Sequence, residues 1–181
     1  MKINVRNYTK YLFYLVLVVC IIFIFLFNFY FYKLKYKNEI IQYSSKYSVD
    51  SALVASIICS ESSFNANSQS EKGAIGLMQL MPSTAQWLCE TLDEQFEPKK
   101  LFEPDFNIML GTYYVSYLAN KFNDLDLAIV AYNAGEGNVL KWLSVKEYSN
   151  DGKKLNYIPY AESENYLSKV KRAYNIYKDR I

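Results

Sequence analysis

Histidine is absent from the 181 residues of this chain. Its absence excludes a Ser-His-Asp triad, a Cys-His peptidase and a His-ligated zinc site. General acid–base work falls instead to Glu, Asp, Lys, Tyr or Cys. Cysteine is scarce as well. Of the three, Cys59 and Cys89 read most simply as small buried hydrophobes, and the count alone leaves their pairing open. Acidic residues are missing from 1–37, where six basic ones stand: Lys2, Arg6, Lys10, Lys33, Lys35 and Lys37. The whole chain has 20 Lys+Arg and 18 Asp+Glu, so residues 38–181 hold 14 basic and 18 acidic, a net of −4. That sign is unsuited to neutralising phosphates, and no nucleic-acid partner is expected. Internal repeats, low-complexity tracts and strong strand alternation are also lacking.

What is present begins with an uncharged run at 11–32, YLFYLVLVVCIIFIFLFNFYFY. Its helical length of roughly 33 Å matches a hydrocarbon core of about 30 Å. Tyr11, Tyr14, Tyr30 and Tyr32 lie near its ends, as interfacial aromatics do. The run is too long for a signal peptide and is followed by no small-residue cleavage triplet. Leu17-Val18-Val19-Cys20 is a poor lipoprotein signal, because Val19 is not small. The expectation is 1–10 as a cytoplasmic N-terminus, 11–32 as an uncleaved transmembrane anchor in membrane lipid, 33–48 as a juxtamembrane connector, and 49–181 as one compact domain. The lysines on the two flanks nearly balance, so charge does not fix the orientation.

Within 49–181 the signals are helical. Asp50 caps a segment bearing Leu53, Val54, Ile57 and Ile58; Pro82 opens another. Asp105 is expected to cap a long helix with Ile108, Tyr114, Val115, Leu118 and Phe122 on one face. Asp124 opens a run that closes at Asn133-Ala134-Gly135. A short helix with Val139, Leu140 and Leu143 follows, and a last one spans about 162–178. Residues 62–81 and 144–160 read as loops. The fold class is mainly α, with at most a small β element.

Four stretches carry chemistry. Glu61-Ser62-Ser63-Phe64 ends the Asp50 helix, and a carboxyl beside apolar Ile57-Ile58 has its pKa raised, as a general acid requires. Gly73-Ala74-Ile75-Gly76-Leu77-Met78-Gln79-Leu80-Met81-Pro82 follows Ser70 and reads as a tight turn with close backbone approach. Ala131-Tyr132-Asn133-Ala134-Gly135-Glu136 is the third. Ile158-Pro159-Tyr160-Ala161-Glu162-Ser163, with Tyr166 a turn later, is the fourth. Read singly, Met78, Met81 and Tyr132 suit a core, and Glu136 has no evident partner.

In this order and spacing the four stretches resemble the soluble-lytic-transglycosylase (SLT) family, whose fold is lysozyme-like and whose members cleave peptidoglycan glycan strands. The likeness covers roughly 49–175. It implies Glu61 as the single catalytic acid. Ser70, Gln79, Met78 and Met81 would line the cleft, with the Tyr132 hydroxyl close to Glu61. Asn133 and Glu162 would belong to the substrate-binding set. The last motif often reads Glu-Thr in the family and is Glu162-Ser163 here, with the hydroxyl retained. The chemistry so implied cuts the MurNAc–GlcNAc bond without water and leaves a 1,6-anhydro end. It needs no metal or cofactor and places the catalytic domain outside the membrane. Secretion or cell-wall machinery partners stay unspecified. The alternatives are a goose-type muramidase, which would need a second carboxylate from among Asp93, Glu94, Glu103 and Asp105, and a non-catalytic glycan-binding membrane protein.

Overall fold

The structure is a computed structural model that describes the backbone of residues 5–181 and the side chains of 8–23 and 32–181. The chain divides into two units, Met1–Lys33 and Leu34–Ile181. The first unit is α1 (Val5–Phe31). Its side chains from Tyr8 to Phe23 are exposed, Leu15, Ile21 and Phe23 among them. Of the anchor expected over 11–32, the side chains of 24–31 lie outside the described residues. Among the described residues no helix is long and apolar enough to cross a membrane.

The second unit is helical throughout: α2 (Lys37–Tyr47), α3 (Ser51–Ser62), α4 (Pro82–Leu92), a 3-10 turn (Pro98–Phe102), α5 (Pro104–Phe122), α6 (Leu125–Ala134), α7 (Glu136–Leu143) and α8 (Ala161–Tyr177). Among the described residues there is no strand, only two isolated antiparallel bridges, Gln69 with Ile75 and Ile75 with Leu80. Helix α3 is buried from Ala52 to Ser60, which suits an element apolar on all sides at the centre of the unit. It packs against α8, while α5 packs against α6 and α2.

The caps follow the sequence closely. Asp50 Oδ1 accepts from the amides of Ala52 and Leu53, and Asp124 Oδ1 accepts from Leu127. Each cap contributes about 1 kcal/mol. Pro82 stands in the first turn of α4, and Gly135 (φ 85°) closes α6. Asp105 departs from expectation. Glu103 is the N-cap of α5 because Pro104, with its fixed φ, takes the first helical position. Asp105 instead accepts from the Tyr43 hydroxyl at 2.8 Å. That bond belongs to α2, in the stretch expected as a connector. Ile40 and Tyr43 of α2 are buried, and Ser116 Oγ donates to the Tyr47 carbonyl, so the compact unit starts at Leu34. In α7 the buried pair is Val139 and Trp142, whereas Leu140 is 46% exposed. Cys59 and Cys89 are buried free thiols.

Candidate active site

The last turn of α3 sets the geometry. Ser63 (φ 52°) and Phe64 (φ 63°) take left-handed conformations in succession, which stops the helix abruptly. The Phe64 ring is thereby driven into the core, 6.0 Å from Tyr177 of α8. Glu61 is left half-buried at the helix end, facing α8.

Glu61 meets two groups from that helix. The Tyr166 hydroxyl donates to its Oε1 at 2.7 Å. Lys169, one turn on, donates from Nζ to the Ser60 carbonyl at 2.5 Å. Burial pushes the Glu61 carboxyl up to about 7, the Tyr166 bond and the Lys169 charge pull it down, and the Glu162 carboxylate adds a smaller upward push. Desolvation outweighs both stabilising contacts, so the acid stays largely protonated up to near neutral pH. Tyr166 and Tyr132 are pushed well above the ordinary tyrosine range by burial first and by Glu61 second. Both phenols remain neutral donors.

The loop from Gly73 to Met81 is held from four sides. Ser62 Oγ donates to the Leu77 carbonyl at 2.8 Å, and the Tyr132 hydroxyl donates to the Met78 carbonyl at 2.7 Å. Asn107 of α5 is fully buried. Its Oδ1 accepts from the Met78 amide at 2.8 Å, and its Nδ2 donates to the carbonyls of Ile75 (3.0 Å) and Leu101 (2.8 Å). Gln79, itself left-handed at φ 48°, donates from Nε2 to the carbonyls of Ser68 and Gly76. Gly76 is required on two counts. Its φ is 83°, and a Cβ there would overlap the Asn107 amide and the Leu101 carbonyl. Gly111 similarly leaves room for the Met78 thioether.

These contacts define what each expected site residue can do. Glu61, Tyr132 and Glu162 come together, with Tyr166 and Lys169 beside them. Asn133 joins α6 to α8 by accepting from the buried Ser163 hydroxyl at 2.8 Å. Ser70 accepts from the Ala74 amide and shapes the loop. Met81 is 40% exposed, whereas Met78 is completely buried. The Met78 side chain therefore packs the loop down on Gly111, and its carbonyl accepts from the Tyr132 hydroxyl. Glu136, expected to lack a partner, pairs with Lys121 at 3.1 Å.

Lys169 and Asn107 escape a reading of the sequence, and Tyr166, placed in the fourth stretch, has no role assigned there. Tyr166 and Lys169 are separated from Glu61 by more than a hundred positions, and only their i, i+3 spacing on α8 hints at a shared face. Asn107 looks like an ordinary polar residue in a helix. The carboxylates considered as a second acid lie elsewhere. Asp105 and Glu94 act on Tyr43, Asp93 closes α4 and Glu103 caps α5. The charges acting on Glu61 are Lys169 and Glu162. Among the described residues, no group of Cys, Asp and Glu could hold a metal ion.

Comparison with known proteins places these features in a lineage. The family described as "Transglycosylase SLT domain" matches residues 38–158. The chain is 33% identical over 148 residues to the soluble lytic murein transglycosylase of Salmonella typhimurium, covering 80% of this chain and 23% of that one. It is 35% identical to the membrane-bound lytic murein transglycosylase C of Photorhabdus laumondii, with 77% and 45% covered. A crystal structure of an inactive mutant of the lytic transglycosylase Slt from Pseudomonas aeruginosa superposes with a TM-score of 0.73. It has 29% identity to this chain and covers 82% of it and 25% of its own length. The chain thus spans about a quarter to a half of the length of these relatives.

Proposed function

The chain belongs to the SLT transglycosylase family, and on that premise we propose that it is a membrane-anchored peptidoglycan lytic transglycosylase with Glu61 as its single acid and base. The observation that carries this reading is the state of Glu61: a half-buried carboxyl raised to about 7, held by one neutral phenol and accompanied by no second carboxylate except Glu162.

The chemistry follows from that state. Protonated Glu61 donates to the oxygen joining N-acetylmuramic acid to N-acetylglucosamine, and the leaving sugar departs neutral. The resulting carboxylate is stabilised by the Tyr166 hydroxyl and the Lys169 charge. It then accepts the proton of the C6 hydroxyl of the same muramic residue, and that oxygen closes on the anomeric carbon as a 1,6-anhydro ring. The proton count balances and no water is consumed. An intramolecular nucleophile has a high effective concentration, so no second base has to activate water. Two-carboxylate hydrolysis would need a partner to Glu61 at a defined separation; Asp105 and Glu94 act on Tyr43 instead, and Glu162 acts on Glu61 only as the smallest of its electrostatic influences.

The apolar run at 11–32 supports a single-pass anchor, and a peptidoglycan substrate then sets residues 34–181 outside the membrane. The test is digestion of purified peptidoglycan by the full chain in detergent, followed by mass spectrometry of the muropeptides. Products one water lighter than reducing ends are expected. Reducing muramic ends would make the enzyme a hydrolase instead. Reporter fusions at the two termini check the orientation, and a cytoplasmic C-terminus would overturn it.

A further inference from the structure

Beyond Tyr132 the aromatic side chains continue outward. The Tyr132 ring lies 5.3 Å from that of Tyr114, and Tyr114 stacks on Tyr117 at 6.3 Å and 14°. Trp87 meets both edge-on, 6.3 Å from Tyr114 and 5.0 Å from Tyr117. Three helices contribute: α6, α5 and α4. Exposure rises along the series, from half-buried Tyr114 and Tyr117 to Trp87, which is 38% exposed. Trp87 follows Met81, the exposed end of the loop over Glu61, by six residues on α4. At the outer end the Lys121 ammonium donates to the Tyr117 hydroxyl and to Glu136, so its charge is already matched.

A core would bury these rings, and a solvated helix face would not gather three of them. We propose that Trp87, Tyr117 and Tyr114 form a binding strip that carries the peptidoglycan glycan strand away from the bond cut at Glu61, pyranose rings lying against the aromatic faces. The inference rests on the transglycosylase reading of the same cleft. Three observations select a glycan as the occupant. The strip is continuous by ring contact with Tyr132, which belongs to the cleft. Aromatic faces are electron-rich and attract the C–H faces of neutral sugars. Lys121 beside the strip is paired with Glu136, which leaves an acidic stem peptide little to bind there.

The test measures binding by calorimetry in the full-length Glu61→Gln protein in detergent, so that substrate survives. The ligands are peptide-free glycan strands and a short disaccharide fragment. Adding Trp87→Ala should weaken strand binding roughly tenfold and leave disaccharide binding unchanged, while Trp87→Phe should stay within about twofold. Tyr117→Ala should behave as Trp87→Ala does and guards against a folding defect in the first variant, checked by circular dichroism. Equal affinities in all variants would sink the strip. With peptide-bearing strands as a third ligand, a loss seen only with them would assign the surface to stem peptide and overturn the proposal. Failure of the transglycosylase reading looks different: the chain carrying Glu61 would leave peptidoglycan uncut whatever stands at position 87.

Discussion

The Tyr166 hydroxyl and the Glu61 carboxylate are 2.7 Å apart although 105 residues separate them in sequence. Their bond joins the end of α3 to the first half of α8, and the packing of those two helices fixes it. The donor is neutral and remains so, because burial pushes the phenol far above its ordinary range. Glu61 is thus oriented by a group that cannot take its proton.

Glu61→Gln should fold normally and lose peptidoglycan cleavage by several orders of magnitude. Its stability should also change with pH. Burial pushes the folded carboxyl up to about 7 from its ordinary 4.5. The folded state holds its proton more tightly, so stability falls as pH rises from about 4.5 to about 7 and is lower beyond. Glutamine carries no such cost. Above pH 7 the variant is expected to be more stable than the parent, by roughly 3 kcal/mol. Thermal melts at pH 5 and pH 8 check this, and an equal difference at both would contradict it.

Because the first step needs a protonated Glu61, kcat/KM should fall as pH rises through about 7. Tyr166→Phe removes a hydrogen bond that favours the ionised acid. The alkaline limb should move to higher pH while the maximal rate drops, roughly tenfold to a hundredfold, through lost orientation. A profile that falls in height without moving would mean that the bond does not tune the acid.

Lys169→Met removes the positive charge beside Glu61 and the bond to the Ser60 carbonyl. Lys169 is exposed, so the shift should be a fraction of a pH unit, again upward, and high salt should shrink the difference from the parent. Lys169→Arg should restore the parental profile. No movement with methionine would assign the lysine a purely structural part.

Tyr132→Phe leaves the Met78 carbonyl without its donor and keeps the ring. Part of the activity should survive, with about 1–2 kcal/mol of stability lost. An enzyme as inactive as Glu61→Gln would show that the hydroxyl takes part in proton transfer.

Asn107→Ala should be the most damaging change outside the reacting groups. It orphans the Met78 amide and the Leu101 carbonyl, takes one of two donors from the Ile75 carbonyl, which keeps the Leu80 amide, and opens a void beneath Gly76. A loss of about 3 kcal/mol or more is expected from denaturant titration.

Local signals in the sequence were read correctly where the physics is local. Asp50, Asp124, Pro82 and Gly135 act through neighbours two to four residues away, and the structure has them as caps and stops. Asp105 was misjudged because Pro104 moves the helix start by two residues, and Leu140 because an eight-residue helix offers too little periodicity to separate it from Trp142. The first, third and fourth stretches bring Glu61, Tyr132, Asn133 and Glu162 together. Composition could not show that Met78 is buried, that Gln79 spends its amide on loop carbonyls, or that Tyr166 rather than Tyr132 bonds Glu61. The first and last depend on where a distant helix passes, and the Gln79 bonds on how the loop folds back on itself.

The loop from Gly73 to Met81 has no regular secondary structure, yet Ser62, Asn107 and Tyr132 grip its peptide groups from three helices. A segment so gripped has already surrendered its freedom before any sugar arrives. A bound strand would then forfeit little entropy to organise this wall, and the Met78 amide should exchange its hydrogen as slowly as one at the centre of α3.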